Sequence, residues 1–288
     1  MFRIVPAESA GFFMRSRLNP TIRHREREAV AAIERVPEIM LHESPALALK
    51  EMGRLLRESN PYPPIIFDVD DVTHHSFHSL VEAMNRRLVA ENPLFPPVGL
   101  KELQENNYWL DGIGRLQEVA QSYGFKDFNT WFGMFTAKNI DVHATMAVNE
   151  VGLQLQNALA KRGSHTAAYV TARAQALAHI TAVRLFTDGY AHAPVVCRDS
   201  DIEASDYKLR VFDQEVFPNL NKGKRVIFID DSLRNIQAVC ELGGGRVIGV
   251  IPEVPRNSAR LAKLDRNTPF IYGDVTSIMG GLTRRGII

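Results

Sequence analysis

The sequence predicts an α/β protein: a Rossmann-like, doubly wound parallel sheet, interrupted after its first strand by a helical cap and preceded by a helical extension. Three observations predict it. From residue 164 onward, short apolar runs alternate with amphipathic helical segments, the pattern of a parallel sheet covered on both faces. A single earlier run of the same kind, Ile65-Ile66-Phe67, stands alone after the helix-breaking Asn60-Pro61-Tyr62-Pro63-Pro64. Between the two lie nearly 90 residues with helical periodicity and no strand pattern. The expected division is therefore an extension over 1–60, a core made of 61–75 and 164–288, and a cap over 76–163.

In the extension, Arg25 to Val36 is rich in helix formers, and Ser44-Pro45 supplies a cap and a first-turn proline for a helix over 46–57. Ile65-Ile66-Phe67 reads as a buried strand that stops at Asp68. In the cap, Leu80, Met84 and Leu88 share one helical face, Ile113, Leu116, Ala120 and Tyr123 a second, and Val148, Val151, Leu155 and Leu159 a third that Gly163 ends. Strands are then expected at 167–170, 194–197, 226–229, 246–251 and 270–272, with helices at 174–187, 206–217, 233–242 and 258–264 between them.

Composition bounds the function. With 45% apolar and 23% charged residues the chain reads as a soluble globular protein, long enough at 288 residues for two compact units. Thirty-four basic against 33 acidic residues leave +1, so no global field draws it to nucleic acid or to an anionic membrane. No stretch approaches the length of a membrane span. Two cysteines, Cys197 and Cys240, exclude a disulfide framework and fit a reducing compartment, so a cytoplasmic location is expected. Arg3, Arg15, Arg17, Arg23, Arg25 and Arg27 suggest a transit peptide as a second reading, which Glu8 and Glu26 disfavour.

In a doubly wound sheet ligands sit beyond the carboxyl ends of the strands, so the residues just after each apolar run are the candidates for chemistry. Here they are Asp68-Val69-Asp70-Asp71, Thr171-Ala172-Arg173 and Asp230-Asp231-Ser232, with Lys208 early in the helix after the third core strand. Carboxylates gathered so closely raise one another's pKa unless a cation intervenes, which points to a hard divalent ion, Mg²⁺, on oxygen ligands. A divalent ion beside a lysine is what a phosphate dianion needs to approach an anionic nucleophile.

Four segments taken together resemble the motifs of the haloacid dehalogenase (HAD) superfamily of phosphohydrolases. They are Ile65-Ile66-Phe67-Asp68-Val69-Asp70-Asp71-Val72, Tyr169-Val170-Thr171, Lys208, and Ile227-Phe228-Ile229-Asp230-Asp231, and the likeness spans about 62–275. The resemblance implies that Asp68 is the nucleophile forming an aspartyl-phosphate and Asp70 the general acid and base. It implies Thr171 and Lys208 as phosphate-binding residues, with Mg²⁺ held by Asp68, the Asp70 carbonyl, and Asp231 with or without Asp230. Two departures stand out: Asp71-Val72-Thr73 where the family most often has glycine, threonine and an aliphatic residue, and Asn235 where a further acid often follows.

The expected substrate is a small phosphate monoester. The aromatic residues between Tyr108 and Phe135, which include both tryptophans, suggest a nucleotide if some of them face the cleft, although a helical cap also needs them for its own core. His74, Arg173, Arg198, Trp109 and Trp131 are the candidate substrate contacts, His74 with a hinge role as the other reading. The alternatives are a HAD-fold binding or regulatory protein without turnover, and a phosphatase acting on nucleic-acid ends.

Overall fold

The computed structural model describes residues 44–58, 60–106, 108, 110–198, 204–265 and 268–288. The helix expected over 25–36 and the arginine-rich start lie outside the described residues, as does Trp109. Among the described residues six parallel strands form one sheet: β1 (Ile65–Phe67), β2 (Thr166–Ala174), β3 (Val195–Arg198), β4 (Val226–Ile229), β5 (Val247–Pro252) and β6 (Ile271–Gly273). They run in the order β3-β2-β1-β4-β5-β6. The chain winds outward one way from β1 and then the other way from β4, so the switch point where ligands bind lies between these two strands.

Every residue of β1, β4 and β5 is buried, which is why these strands appear in the sequence as unbroken apolar runs. One sheet face packs Ile66, Val170 and Phe228 with the helix Pro45–Leu56 (α1); the other packs Ile65, Phe67 and Ile229. β2 runs past the expected end at Val170, because its pairing with β3 continues through an irregularity between Thr171 and Ala174. A C-terminal helix, Val275–Arg284, was not foreseen; it buries Ile278 and Leu282 against the sheet and starts at Asp274, whose side chain accepts from the Ser277 N–H.

Between β1 and β2 come the helices α2 (Ser76–Glu91), α3 (Leu100–Glu105), α4 (Gly114–Ser122), α5 (Phe128–Lys138), α6 (Ile140–Thr145) and α7 (Glu150–Lys161). Leu80, Met84, Leu88, Leu116 and Ala120 are buried as the periodicity predicts, and the first four helices share a separate apolar cluster. α7 does not belong to it. Leu155 and Leu159 pack with Ile65, Phe67 and Tyr169, so α7 is part of the sheet's cover rather than of a cap running to 163.

Gly152 is what lets α7 come so close, since a Cβ there would sit 2.0 Å from the Val72 carbonyl oxygen and 2.9 Å from Tyr190 Oη. The two segments that leave and re-enter the core are laced together. The His75 N–H donates to Ala147 O, the Asn149 N–H to Thr73 O, and Tyr190 Oη to both Thr73 O and Asn149 O.

Candidate active site

Strand register puts the key carboxylates side by side. Phe67 pairs with Ile229, and the Asp68 N–H continues the ladder to Ile229 O at 2.8 Å, so Asp68 and Asp230 leave adjacent central strands together. After β3 comes the helix α8 (Ala204–Val211), which continues through a π turn at Phe212–Val216. It carries Lys208, buried, whose Nζ lies 2.9 Å from Asp68 Oδ2 and 2.7 Å from Asp230 Oδ2. Burial works against the lysine's charge, but the two carboxylates outweigh it and hold its pKa above the ordinary value. Burial pushes the Asp68 carboxyl up, with Asp230 and Asp70 adding to the rise and Lys208 opposing it.

Asp230 is fully provided for. Besides Lys208 it accepts from the Ser232 N–H at 2.8 Å and from Asn235 Nδ2 at 3.0 Å, so Asn235, standing where an acid is common, serves as a donor. The Asp231 carboxylate faces Arg256 Nη1 at 4.0 Å and is pushed well up by burial and by Asp71, with Arg256 opposing. Asp68, Asp230 and Asp231 each bring an oxygen within 4.8 Å of the others. Asp68 Oδ1 is buried without a hydrogen-bond partner. An orphaned anionic oxygen among carboxylates fits a hard divalent cation, for which Asp68 and Asp231 have oxygens to spare and Asp230 has fewer.

Asp70 points elsewhere. Its carboxylate takes Arg173 Nε at 2.9 Å and Nη2 at 2.8 Å on Oδ1, and Thr171 Oγ1 at 3.2 Å on Oδ2. Burial raises its pKa, but the guanidinium beside it wins and holds the carboxyl well below the usual range. Thr171, expected to bind phosphate, thus donates to Asp70 and accepts from the Arg173 N–H. Asp71 sits at φ 58°, in the left-handed region, which is the physical reason a glycine suits this position. It holds there because Asn149 Nδ2 donates to its carbonyl at 2.7 Å and Arg256 Nη1 lies 3.3 Å from Oδ2.

Beside Asp70 opens a cavity of about 390 Å³ between α2 and α5 on one side and the ends of β2 and β3 on the other. Arg173 and Arg198 are among its lining residues; Arg198 Nε donates to Ala172 O at 3.0 Å. Two expected contacts are corrected. His74 is buried between the crossing segments, with Nδ1 2.9 Å from Thr73 Oγ1 and Nε2 2.9 Å from Asp188 Oδ2, so both ring nitrogens are taken away from the cavity. Trp131 is 3% exposed and stacks between Tyr123 and Phe135 in the apolar cluster of the cap helices, because its helix turns that face inward.

The aromatic walls are Phe77, Tyr108, Phe128 and Phe132 instead. Two further lining residues escaped the sequence reading. Arg256 follows β5, so the strand-end rule applied to that strand would have found it; its guanidinium lies 4.9 Å over the Phe77 ring. His143, in α6, has no local sequence signal. Burial, helped by Arg173, pushes its pKa down to about 4.

The fold as a whole is similar to that of several solved structures. A HAD family hydrolase of Deinococcus radiodurans, solved with bound phosphate and sodium, matches at TM-score 0.50 and 16% identity, over 80% of this chain and 99% of that one. The chain has the fold of the HAD hydrolases. A candidate phosphatase of Clostridium difficile matches at TM-score 0.52 and 15% identity, over 78% of this chain and 100% of that one. A HAD hydrolase of family IA, variant 3, from Entamoeba histolytica matches at TM-score 0.50 and 11% identity, over 75% and 95%. No protein-family model and no curated protein matches the sequence. Identities this low carry the HAD fold across but not the chemistry, which rests on the residues at the strand ends.

Proposed function

We propose that the chain is a Mg²⁺-dependent phosphatase that hydrolyses a small phosphate monoester through an aspartyl-phosphate on Asp68. The observation that carries this reading is Lys208 Nζ held between Asp68 and Asp230 at the switch point, with Asp68 Oδ1 left orphaned beside them. A buried lysine between two buried carboxylates is poor value for stability alone and suits a site where a dianion arrives.

In this reading Asp68, Asp231 and the Asp70 carbonyl hold the cation, and Asp230 chiefly positions Lys208. The cation supplies charge neutralisation for the nucleophile and the phosphoryl oxygens. An Asp68 oxygen attacks phosphorus, the ester P–O bond breaks, and the leaving alkoxide takes a proton from Asp70. Water then attacks the phosphorus of the aspartyl-phosphate and gives its proton to Asp70, which releases phosphate and restores the Asp68 carboxylate. The Arg173 pair keeps Asp70 ionised. That state suits the second step, which needs a base, so the first step requires Asp70 to part from the guanidinium and take up a proton.

The similarity to the HAD hydrolase that carries bound phosphate supports a phosphate ester as the ligand class. Phosphate release from a panel of monoesters, with Mg²⁺ and with excess chelator, tests the reading. Release that needs Mg²⁺ is expected. No release from any ester would favour a binding protein, and undiminished release in chelator would remove the cation.

A further inference from the structure

Among the polar groups of the cavity beside Asp70 that the proposed chemistry leaves unused, His143 stands apart in having a buried nitrogen without a partner. His143 is 2% exposed, it is among the residues that line the cavity, and its Nε2 lies 3.1 Å from the Thr136 carbonyl oxygen. A carbonyl oxygen only accepts, so Nε2 carries the hydrogen and Nδ1 of the neutral ring is a bare acceptor. That Nδ1 is buried and has no hydrogen-bond partner. A buried acceptor left unmade is costly, and His143 shares its cavity with Asp70, the group that faces the ester oxygen in the reading above.

The walls describe the rest of the ligand. Phe77 and Tyr108 meet edge to face at 5.9 Å, and Phe128 and Phe132 stack at 5.3 Å. Tyr108 is held at φ 62°, a conformation that a bulky residue adopts only where its surroundings impose it. Asp111 and Asn129 add polar groups to the same cavity. A volume of about 390 Å³ exceeds what a short-chain acid fills and lies in the range of sites that enclose a ring-bearing ligand.

We propose that His143 Nδ1 accepts a hydrogen bond from a hydroxyl beside the ester oxygen of the substrate, and that the substrate is a phosphate monoester whose alcohol carries both that hydroxyl and a flat ring, as a ribonucleoside monophosphate does. This rests on the phosphatase reading for the place of the ester, and the test separates the two. In the full chain bearing Asp68→Asn, with Mg²⁺ present, calorimetry measures Kd for a ribonucleoside 3′-monophosphate and for its 2′-deoxy counterpart, which lacks only the hydroxyl next to the ester.

A preference of about tenfold for the hydroxyl-bearing ligand is expected, the size of one good hydrogen bond. Adding His143→Ala should abolish the preference, and His143→Asn, which keeps a polar atom near the Nδ1 position, should hold part of it. A merely structural role would weaken both ligands alike. Glycerol 2-phosphate, which has the hydroxyls but no ring, should bind about tenfold more weakly or worse.

Equal affinity for the two nucleotides before His143 is changed means that the hydroxyl does not reach the nitrogen, and it overturns the proposal. So does binding of neither nucleotide, or a preference that survives His143→Ala in a protein melting like its parent. Should His143→Ala fail to fold, His143→Asn carries that arm, and a full preference in it overturns the proposal. Phosphate release from an activated aryl phosphate by the unmutated protein is measured alongside. Its absence with the tenfold preference intact would remove the phosphatase reading and leave the recognition by His143 standing.

Discussion

Asp68 differs from the acids around it in having one oxygen on Lys208 and the other on nothing. Asp68→Asn keeps size and shape but removes the anionic oxygen, so turnover should fall by about a thousandfold or more while the melting temperature stays at or above that of the parent. Activity near the parent level would move the nucleophile elsewhere. Asp70→Asn should slow esters with poor leaving groups more than activated aryl esters, because only the former depend on the proton. Equal losses for both would count against the acid role.

His143 gives a residue-scale test of pH dependence. Its folded pKa of about 4 lies below its ordinary 6.5, so the unfolded chain binds this proton first as pH falls. The stability it confers is whole above 6.5 and is lost between 6.5 and 4, on the order of 3 kcal/mol. Asp68 and Asp231, pushed up by burial, work in the opposite direction over that range. The measurement is therefore the stability difference between His143→Asn and the parent, which should shift in favour of the variant as pH falls through this window. A difference independent of pH would mean that His143 is not held neutral by burial.

Among the elements, α7 and α5 carry the clearest tests. Gly152→Ala drives a methyl into the Val72 carbonyl, which is backbone and cannot swing aside. The expected loss is at least about 3 kcal/mol in denaturant melts, with activity also reduced because Val72 adjoins the Asp70-Asp71 turn. A neutral Gly152→Ala would mean that α7 does not sit where the structure has it. On α5, Trp131 and Phe132 are adjacent and both pack on the cap's apolar cluster, but of the two only Phe132 also lines the cavity. Trp131→Ala should cost about 3–5 kcal/mol of stability and leave the ratio of kcat/KM between a nucleotide and a sugar phosphate unchanged, whereas Phe132→Ala should move that ratio.

For the molecule as a whole, the proposed cation site would tie folding to ion binding. Asp68, Asp230 and Asp231 are brought together only by the closed sheet, so a divalent ion should bind the folded chain and hardly the unfolded one. Mg²⁺ at a hundredfold above its Kd should then stabilise the fold by about 2.7 kcal/mol, seen as a rise in melting temperature that Asp231→Asn diminishes. A melting temperature indifferent to Mg²⁺ in both proteins would argue against the cation site. Among the described residues no helix is long and apolar enough to cross a membrane.

What could be read in the sequence follows from burial. β1 and β4 are covered on both faces, so they had to be apolar throughout, and the first polar residues after them, Asp68 and Asp230, mark the sheet's carboxyl edge without any knowledge of the fold. The same rule reaches Thr171 and would have reached Arg256. It fails for residues whose place depends on how one helix is rotated against another. Nothing local distinguishes Trp131, buried within the apolar cluster, from Phe132, which packs on that cluster and also lines the cavity, and nothing near His143 announces that Thr136 fixes its proton. The pairing of Asp70 with Arg173 likewise depends on β2 extending past Val170 through its irregularity beside β3. Periodicity along the chain places the strand-end residues; contacts between segments far apart in sequence decide which side chains line the cavity and which charge each carboxylate meets.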